Sequence, residues 1–207
     1  YEIYGQSESG YCVLSCLIDR KYDVAPAGKE AIEEAGINDC SNMAFLSGTT
    51  VGGMDTTEQH FLEWQENKQL DYISLHDAGS ATQKIAEHIG KFSYITTPST
   101  ACSSALNAII CGANLIKSGR YSQVLAGGAE SLSCFHLNGF NTLMILDHGC
   151  CRPFDATRAG LNLGEGAAYI VIESEESAIN RGAKILGYIS GYGNSCDAYH
   201  QTASSEN

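Results

Sequence analysis

The chain has 207 residues, with 12 Lys plus Arg against 24 Asp plus Glu, a formal net charge of −12; 43% of residues are apolar and 17% charged. Enough apolar surface is present to bury a core, which excludes a disordered chain. The acidic excess excludes nucleic-acid or anionic-membrane binding as the main task.

No run reaches the ~20 apolar residues that a membrane span needs. The opening Tyr1-Glu2-Ile3-Tyr4-Gly5 lacks a basic-then-apolar leader and an initiator Met, so no signal peptide is read and the true N-terminus is expected to be missing. One sizeable domain is expected. The nine cysteines are odd in number and irregularly spaced. They suit a reducing, cytoplasmic setting, with most thiols as small buried apolar groups. There is no Cys-x-x-Cys pair, and Cys134, Cys150 and Cys151 lack paired ligand spacing, so no metal is expected. Lys117, Arg120, Arg152 and Arg158 are the candidates for a local basic patch.

In chain order, Cys12–Ile18 reads equally as a buried helix turn or a strand. Pro26 suits a first helical turn, and 29–35 is a helix stopped by Gly36. Met43–Leu46 is a short buried strand followed by a glycine-bearing loop, 48–53. Helices are expected over 56–69 and 81–89, the second ending at Gly90. Phe92–Thr97 is rich in β-branched and aromatic residues and reads as a strand. Residues 103–117 form a helix that is apolar nearly all round, which predicts a central, buried one. Val124–Ala129 follows as a buried strand, completing a βαβ unit with a parallel pair. A strand over 167–172, a helix over 175–181 and a strand over 185–192 close the pattern.

Cys102 is the sharpest chemical feature. It sits on a turn of small polar residues between a strand and the apolar helix. A helix N-terminus stabilises a thiolate and offers backbone N–H groups to an oxyanion. Open α/β sheets place their sites at such strand ends. From spacing alone, an ordinary buried cysteine is an equal reading.

The neighbouring segments add a resemblance. Thr100-Ala101-Cys102-Ser103-Ser104-Ala105 resembles the active-site segment of the β-ketoacyl-acyl carrier protein synthases, of the thiolase superfamily. Ala126-Gly127-Gly128-Ala129-Glu130, Arg152-Pro153-Phe154-Asp155, the 158–168 segment with Gly164-Glu165-Gly166-Ala167, and Ser195-Cys196-Asp197-Ala198-Tyr199-His200 resemble further family blocks, in the same order, over roughly residues 40 to 205. Ala159 departs from the family's Asp, and Leu161 and Asn162 are also unusual. The family's two catalytic histidines, in His-Gly-Thr and Gly-His segments, and its supporting Lys have no match; His148-Gly149 is followed by Cys150.

The resemblance implies an α/β, thiolase-like fold with a mixed five-stranded sheet and a buried central helix, incomplete relative to the full family fold. Residues 1–207 would be the N-terminal half of such a domain, truncated at both ends. The implied activity is an acyltransferase of fatty acid or polyketide type. It is a decarboxylative Claisen condensation between an acyl group on Cys102 and malonyl-acyl carrier protein. Val51 matches a position shaping the acyl pocket across a dimer interface, and His200 one near the substrate channel; both are substrate-binding candidates. The expected partners are an acyl carrier protein bearing phosphopantetheine thioesters and a homo- or heterodimer mate, paired through Phe92–Thr97. No cofactor, metal, nucleic acid or membrane is implied. Glu165 matches a buried polar network or caps a strand end; Arg152 and Asp155 are read as a structural turn pair. Three alternatives stay open: an inactive fragment, a non-catalytic partner resembling a chain length factor, and a cysteine hydrolase using Cys102 with His200.

Overall fold

The computed structural model describes residues 11–19, 25–68, 73–200 and 205. Its strands are β1 (Tyr11–Asp19), β2 (Ala44–Gly48), β3 (Tyr94–Thr96), β4 (Gln123–Glu130), β5 (Gly166–Ser174) and β6 (Gly187–Tyr188). Its helices are α1 (Ala25–Glu34), α2 (Met54–Asn67), α3 (Ala78–Ile89), α4 (Ser104–Lys117), α5 (Cys134–Thr142) and α6 (Glu175–Asn180). The strands make one mixed sheet in the order β3-β2-β4-β5-β1-β6. It has six strands where five are expected, the last only two residues long.

Side chains that point alternately to the two faces of β2 and β4, both buried, explain the layers. Phe45 and Leu125 point to a face covered by α1 and α3, where Ala27, Ala31, Ala86, Phe92, Tyr169 and Val171 complete the core. Ala44, Leu46, Val124, Ala126 and Ile172 point to the opposite face, against Ala108 and Ile116 of α4. A strand buried on both faces is apolar without alternation, which is why 43–46 and 124–129 read as continuous runs. β2 pairs in parallel with both β3 and β4. The expected βαβ unit therefore holds in direction, but its crossover passes over β2. Gly112 lets α4 lie close, since a Cβ there would come within 3.1 Å of the Val124 side chain.

Several expectations shift. The 12–18 run is strand, paired antiparallel with β5 and β6. The strand read over 92–97 shortens to β3, and that over 185–192 to β6. α3 starts earlier than expected, because Asp77 caps it by accepting from the Ser80 N–H at 3.0 Å. α4 is buried on its sheet side only: Ala105, Leu106 and Cys111 stay exposed, so the expected all-round burial does not hold among the described residues. One sheet covers one helical stripe, and a second layer is needed to cover the other. The expectation that most thiols are buried also fails: Cys102, Cys111, Cys134, Cys150 and Cys196 are exposed and Cys151 is half-buried, while Cys40 is buried.

An ion pair between a buried carboxylate and a partly exposed arginine ties β5 to the ends of α6 and α1. Glu173 of β5 is fully buried and accepts from Arg181 Nη2 at 2.7 Å and Nε at 2.9 and 3.0 Å. Ser177 Oγ and Gln123 Nε2 donate to it at 2.7 and 2.9 Å. Arg181 also donates to the Ala35 carbonyl at 2.7 Å, tying α6 to the end of α1. Burial alone would raise the Glu173 pKa; the hydrogen bonds from Arg181, Ser177 and Gln123 outweigh it and hold the carboxyl below its ordinary value.

Candidate active site

The three parallel strands point their C-terminal ends the same way, and the loops leaving those ends carry two of the candidate residues. The turn after β3 contains Cys102, and the loop after β2 contains Val51. Cys102 is exposed, one residue after Ala101, whose φ of 53° lies in the left-handed region. A non-glycine residue there stores roughly 1–2 kcal/mol of strain. The turn is held closed. Ser104 Oγ donates to the Ala101 carbonyl at 2.6 Å and accepts from the Thr100 N–H at 2.8 Å. Ser103 Oγ donates to the Thr100 carbonyl at 2.7 Å. The small residues read from sequence thus serve as turn braces around the thiol.

Two glycines let α4 begin against the strand ends. A Cβ on Gly48 would stand 2.3 Å from the Ser104 carbonyl carbon, and one on Gly128 would stand 2.7 Å from the Ala105 Cβ. No side chain fits either gap. Gly128 of the 126–130 segment is therefore a packing requirement of the helix that follows Cys102, whereas Gly127 makes room for Ala168 and Tyr169 of β5.

Val51 is buried, and its loop is clamped by one carboxylate. Glu130, at the end of β4, accepts from Thr49 Oγ1 and the Thr50 N–H at 2.7 Å each, and from the Val51 N–H at 3.2 Å. His200 is exposed at the end of the 189–200 loop. That loop is tied to α4 by two hydrogen bonds: Asn194 Nδ2 donates to Asn107 Oδ1 at 3.0 Å, and Tyr192 Oη to Asn114 Oδ1 at 2.6 Å. Asn107 and Asn114 lie seven residues apart, two turns along one face of a helix otherwise rich in apolar residues. Treating α4 as uniformly apolar passes over this polar seam; the i, i+7 spacing of two asparagines is the signal that reveals it.

A cavity of about 370 Å³ lies on the other face of the sheet, lined by Ser47, Thr49, Thr82, Ile85, Glu130 and Ala167 among others. Neither Cys102, Val51 nor His200 lines it. At its mouth Glu165 is exposed and accepts from the Leu132 N–H at 2.8 Å, which is the strand-end cap and not a buried network. Arg152 and Asp155 are joined through Thr157: Arg152 donates to its carbonyl at 2.7 Å, while Asp155 accepts from its N–H and hydroxyl at 2.6 Å. That confirms a structural turn, and the Thr157 hydroxyl and N–H hold the Asp155 carboxyl below its ordinary range. Among the described residues no cluster of His, Cys, Asp or Glu is placed to hold a metal. None of their helices is long and apolar enough to cross a membrane.

The family model for the β-ketoacyl synthase N-terminal domain matches residues 24–178. The chain belongs to the β-ketoacyl synthase family. It is 35% identical over 185 residues to Nodulation protein E of Rhizobium meliloti, covering 86% of this chain and 46% of that protein. It is 30% identical over 191 residues to 3-oxoacyl-[acyl-carrier-protein] synthase 2 of Staphylococcus aureus, covering 86% of this chain and 47% of that protein. Among solved structures, the ishigamide ketosynthase/chain length factor superposes with a TM-score of 0.74 at 30% identity, over 87% of this chain and 49% of that one. The chain thus spans about half the length of the relatives it matches. The thiolase-like, mixed α/β fold is that of the β-ketoacyl synthases, present here in part.

Proposed function

We propose that this chain supplies the nucleophile-bearing part of a β-ketoacyl synthase, with Cys102 as the residue that takes the acyl group. The observation that carries this reading is the exposed thiol on a left-handed, braced turn at the C-terminal edge of parallel strands, directly before α4. The Cys102 thiolate attacks the carbonyl carbon of an acyl-phosphopantetheine thioester, and its own backbone N–H is the first donor to the oxyanion. Collapse of that intermediate breaks the old C–S bond, frees the phosphopantetheine thiolate and leaves the acyl group on Cys102. In the second half, malonyl-acyl carrier protein loses CO2. The resulting carbanion attacks the acyl-enzyme carbonyl, a C–C bond forms, and the Cys102 thiolate departs. The decarboxylation is assigned to none of these residues. Relatives named as 3-oxoacyl-[acyl-carrier-protein] synthases support the carrier-protein partner.

In this reading Val51, held by Glu130, shapes the acyl pocket, and His200 borders the substrate channel. β3 ends the sheet and leaves one edge open, which supports a homo- or heterodimer paired through that strand. Cys40, Cys102, Cys111, Cys134, Cys150, Cys151 and Cys196 are free thiols, which accords with a cytoplasmic setting.

Intact-mass analysis after exposure to iodoacetamide, and separately to an acyl-carrier-protein thioester, tests the reading against Cys102→Ser. One acyl adduct that disappears in the variant is expected. Equal labelling of all exposed thiols and no acyl adduct would sink the nucleophile and leave an assembly role. Steady release of free acid would point to a hydrolase.

A further inference from the structure

We infer that Asn107 is a positioning residue that locks the Cys102 turn to the 189–200 loop, so that the nucleophile and the loop bearing His200 hold one relative geometry. This rests on the reading of Cys102 as the nucleophile. Asn107 is nearly buried and its side chain is used at both ends. Its Nδ2 donates to Thr100 Oγ1 at 2.7 Å and to Ser103 Oγ at 3.2 Å, the residues two before and one after Cys102. Its Oδ1 accepts from Asn194 Nδ2 at 3.0 Å, across a sequence separation of 87 residues. A carboxamide is suited to this task because it offers two donors and an acceptor on one rigid plane. A plain helix cap would need only the Thr100 and Ser103 bonds. The Asn194 bond, together with the Tyr192–Asn114 bond two turns further along, adds a long-range tie that capping does not require. The left-handed Ala101 gives the tie a purpose, since a strained turn persists only where its surroundings over-determine it.

Three variants of the 207-residue chain test this: Asn107→Leu, close in size and apolar; Asn194→Ala, changed only on the exposed loop; and Asn107→Asp. The aspartate can still accept from Asn194, and the Thr100 hydroxyl can rotate to donate to it while Ser103 Oγ stays on the Thr100 carbonyl. Amide hydrogen exchange over 99–104 and 190–198 is read beside acyl transfer to Cys102 and its alkylation by iodoacetamide. Asn107→Leu is expected to speed exchange about tenfold in both segments, the loss of one to two net hydrogen bonds. Asn194→Ala is expected to speed exchange in 99–104, although it lies far from that turn in sequence. Asn107→Asp restores protection in both. Acyl transfer at saturating thioester falls about tenfold in Asn107→Leu, as displacement of a reacting group demands, while alkylation by the small reagent is little changed.

The inference is overturned if Asn194→Ala leaves 99–104 at its wild-type exchange rate, or if Asn107→Leu speeds exchange evenly along the chain. If the wild-type protein accepts no acyl group, the nucleophile reading fails, and the exchange measurements still decide the coupling. Should Asn107→Leu not fold, exchange in the Asn194→Ala variant decides the coupling by itself.

Discussion

Removing the Glu173 carboxylate should cost this chain about 3 kcal/mol, and the structure sets that magnitude. The residue is fully buried in β5 and satisfies Arg181, Ser177 and Gln123 together. Glu173→Ala strands the guanidinium with no partner of opposite charge, and breaking a buried pair from one side costs roughly 3–5 kcal/mol. The Arg181 side chain keeps 26% of its exposure, so water recovers part of the loss and the low end applies. For a chain of this size, about 3 kcal/mol lowers the melting temperature by roughly 6–12 °C. Circular dichroism melts at pH 7 measure it.

The same residue fixes a pH signature. Because the folded carboxyl is held below its ordinary value, the unfolded chain takes up the proton first as the solution is acidified. The stabilising contribution is therefore complete above the unfolded pKa of about 4.3 and is lost as pH falls through the folded value. The gap between wild type and variant should be constant from pH 7 to about pH 5 and then close. A variant within about 0.5 kcal/mol of wild type at pH 7, the range of an ordinary surface change, would refute the reasoning. So would a gap that widens in acid.

Two further outcomes are expected. Gly48→Ala forces its Cβ against the Ser104 backbone, so it should cost at least 1–3 kcal/mol, about what overpacking a dense core costs. Acyl transfer at Cys102 should fall with it; an unchanged urea midpoint would show that the turn has slack. Tyr169→Phe removes the phenol that shares a 2.7 Å hydrogen bond with the buried Ser47 hydroxyl and should cost roughly 1–2 kcal/mol in urea unfolding. Burial pushes the Tyr169 pKa up to about 12, against the opposing pull of the Ser47 bond. Its share of stability is complete below about pH 10 and declines as pH rises toward that folded value. Ultraviolet titration of wild type against Tyr169→Phe should show that the phenol the variant lacks ionises above pH 10.

Local signals suffice where one residue type does one job. Gly36 and Gly90 end helices, β2 and β4 are apolar runs buried on both faces, and Cys102 stands at a strand-to-helix turn. Legibility stops where a property depends on what lies across the fold. The apolar count of α4 shows neither that one side is left uncovered nor that Asn107 and Asn114 meet a loop some 80 residues later. Glu173 falls just past the run that reads as a strand, and its burial is matched by an arginine just past the end of the next helix. α5 leaves no trace in the sequence pattern because Cys134–Thr142 buries no residue and carries no apolar stripe, while Ser133 caps it through a bond to the His136 N–H. The exposed thiols escape notice for a related reason: cysteine is buried on average, and composition cannot show which loops carry it.

The order of the sheet has a consequence for synthesis. Tyr11 of β1 pairs with Ser174 and Asp19 with Ala167, so β1 finds its main partner in a strand made some 150 residues later. At about 5–20 residues per second, some 150 residues of further translation leave β1 waiting roughly 10–30 s. β2, β3, β4 and α4 emerge inside that interval, and the pairings of β2 with β3 and β4 need nothing made later. The turn bearing Cys102 is thus assembled before the sheet is closed, and until β5 arrives the outer edge of β4 is an unpaired strand of the kind that chaperones shield during translation.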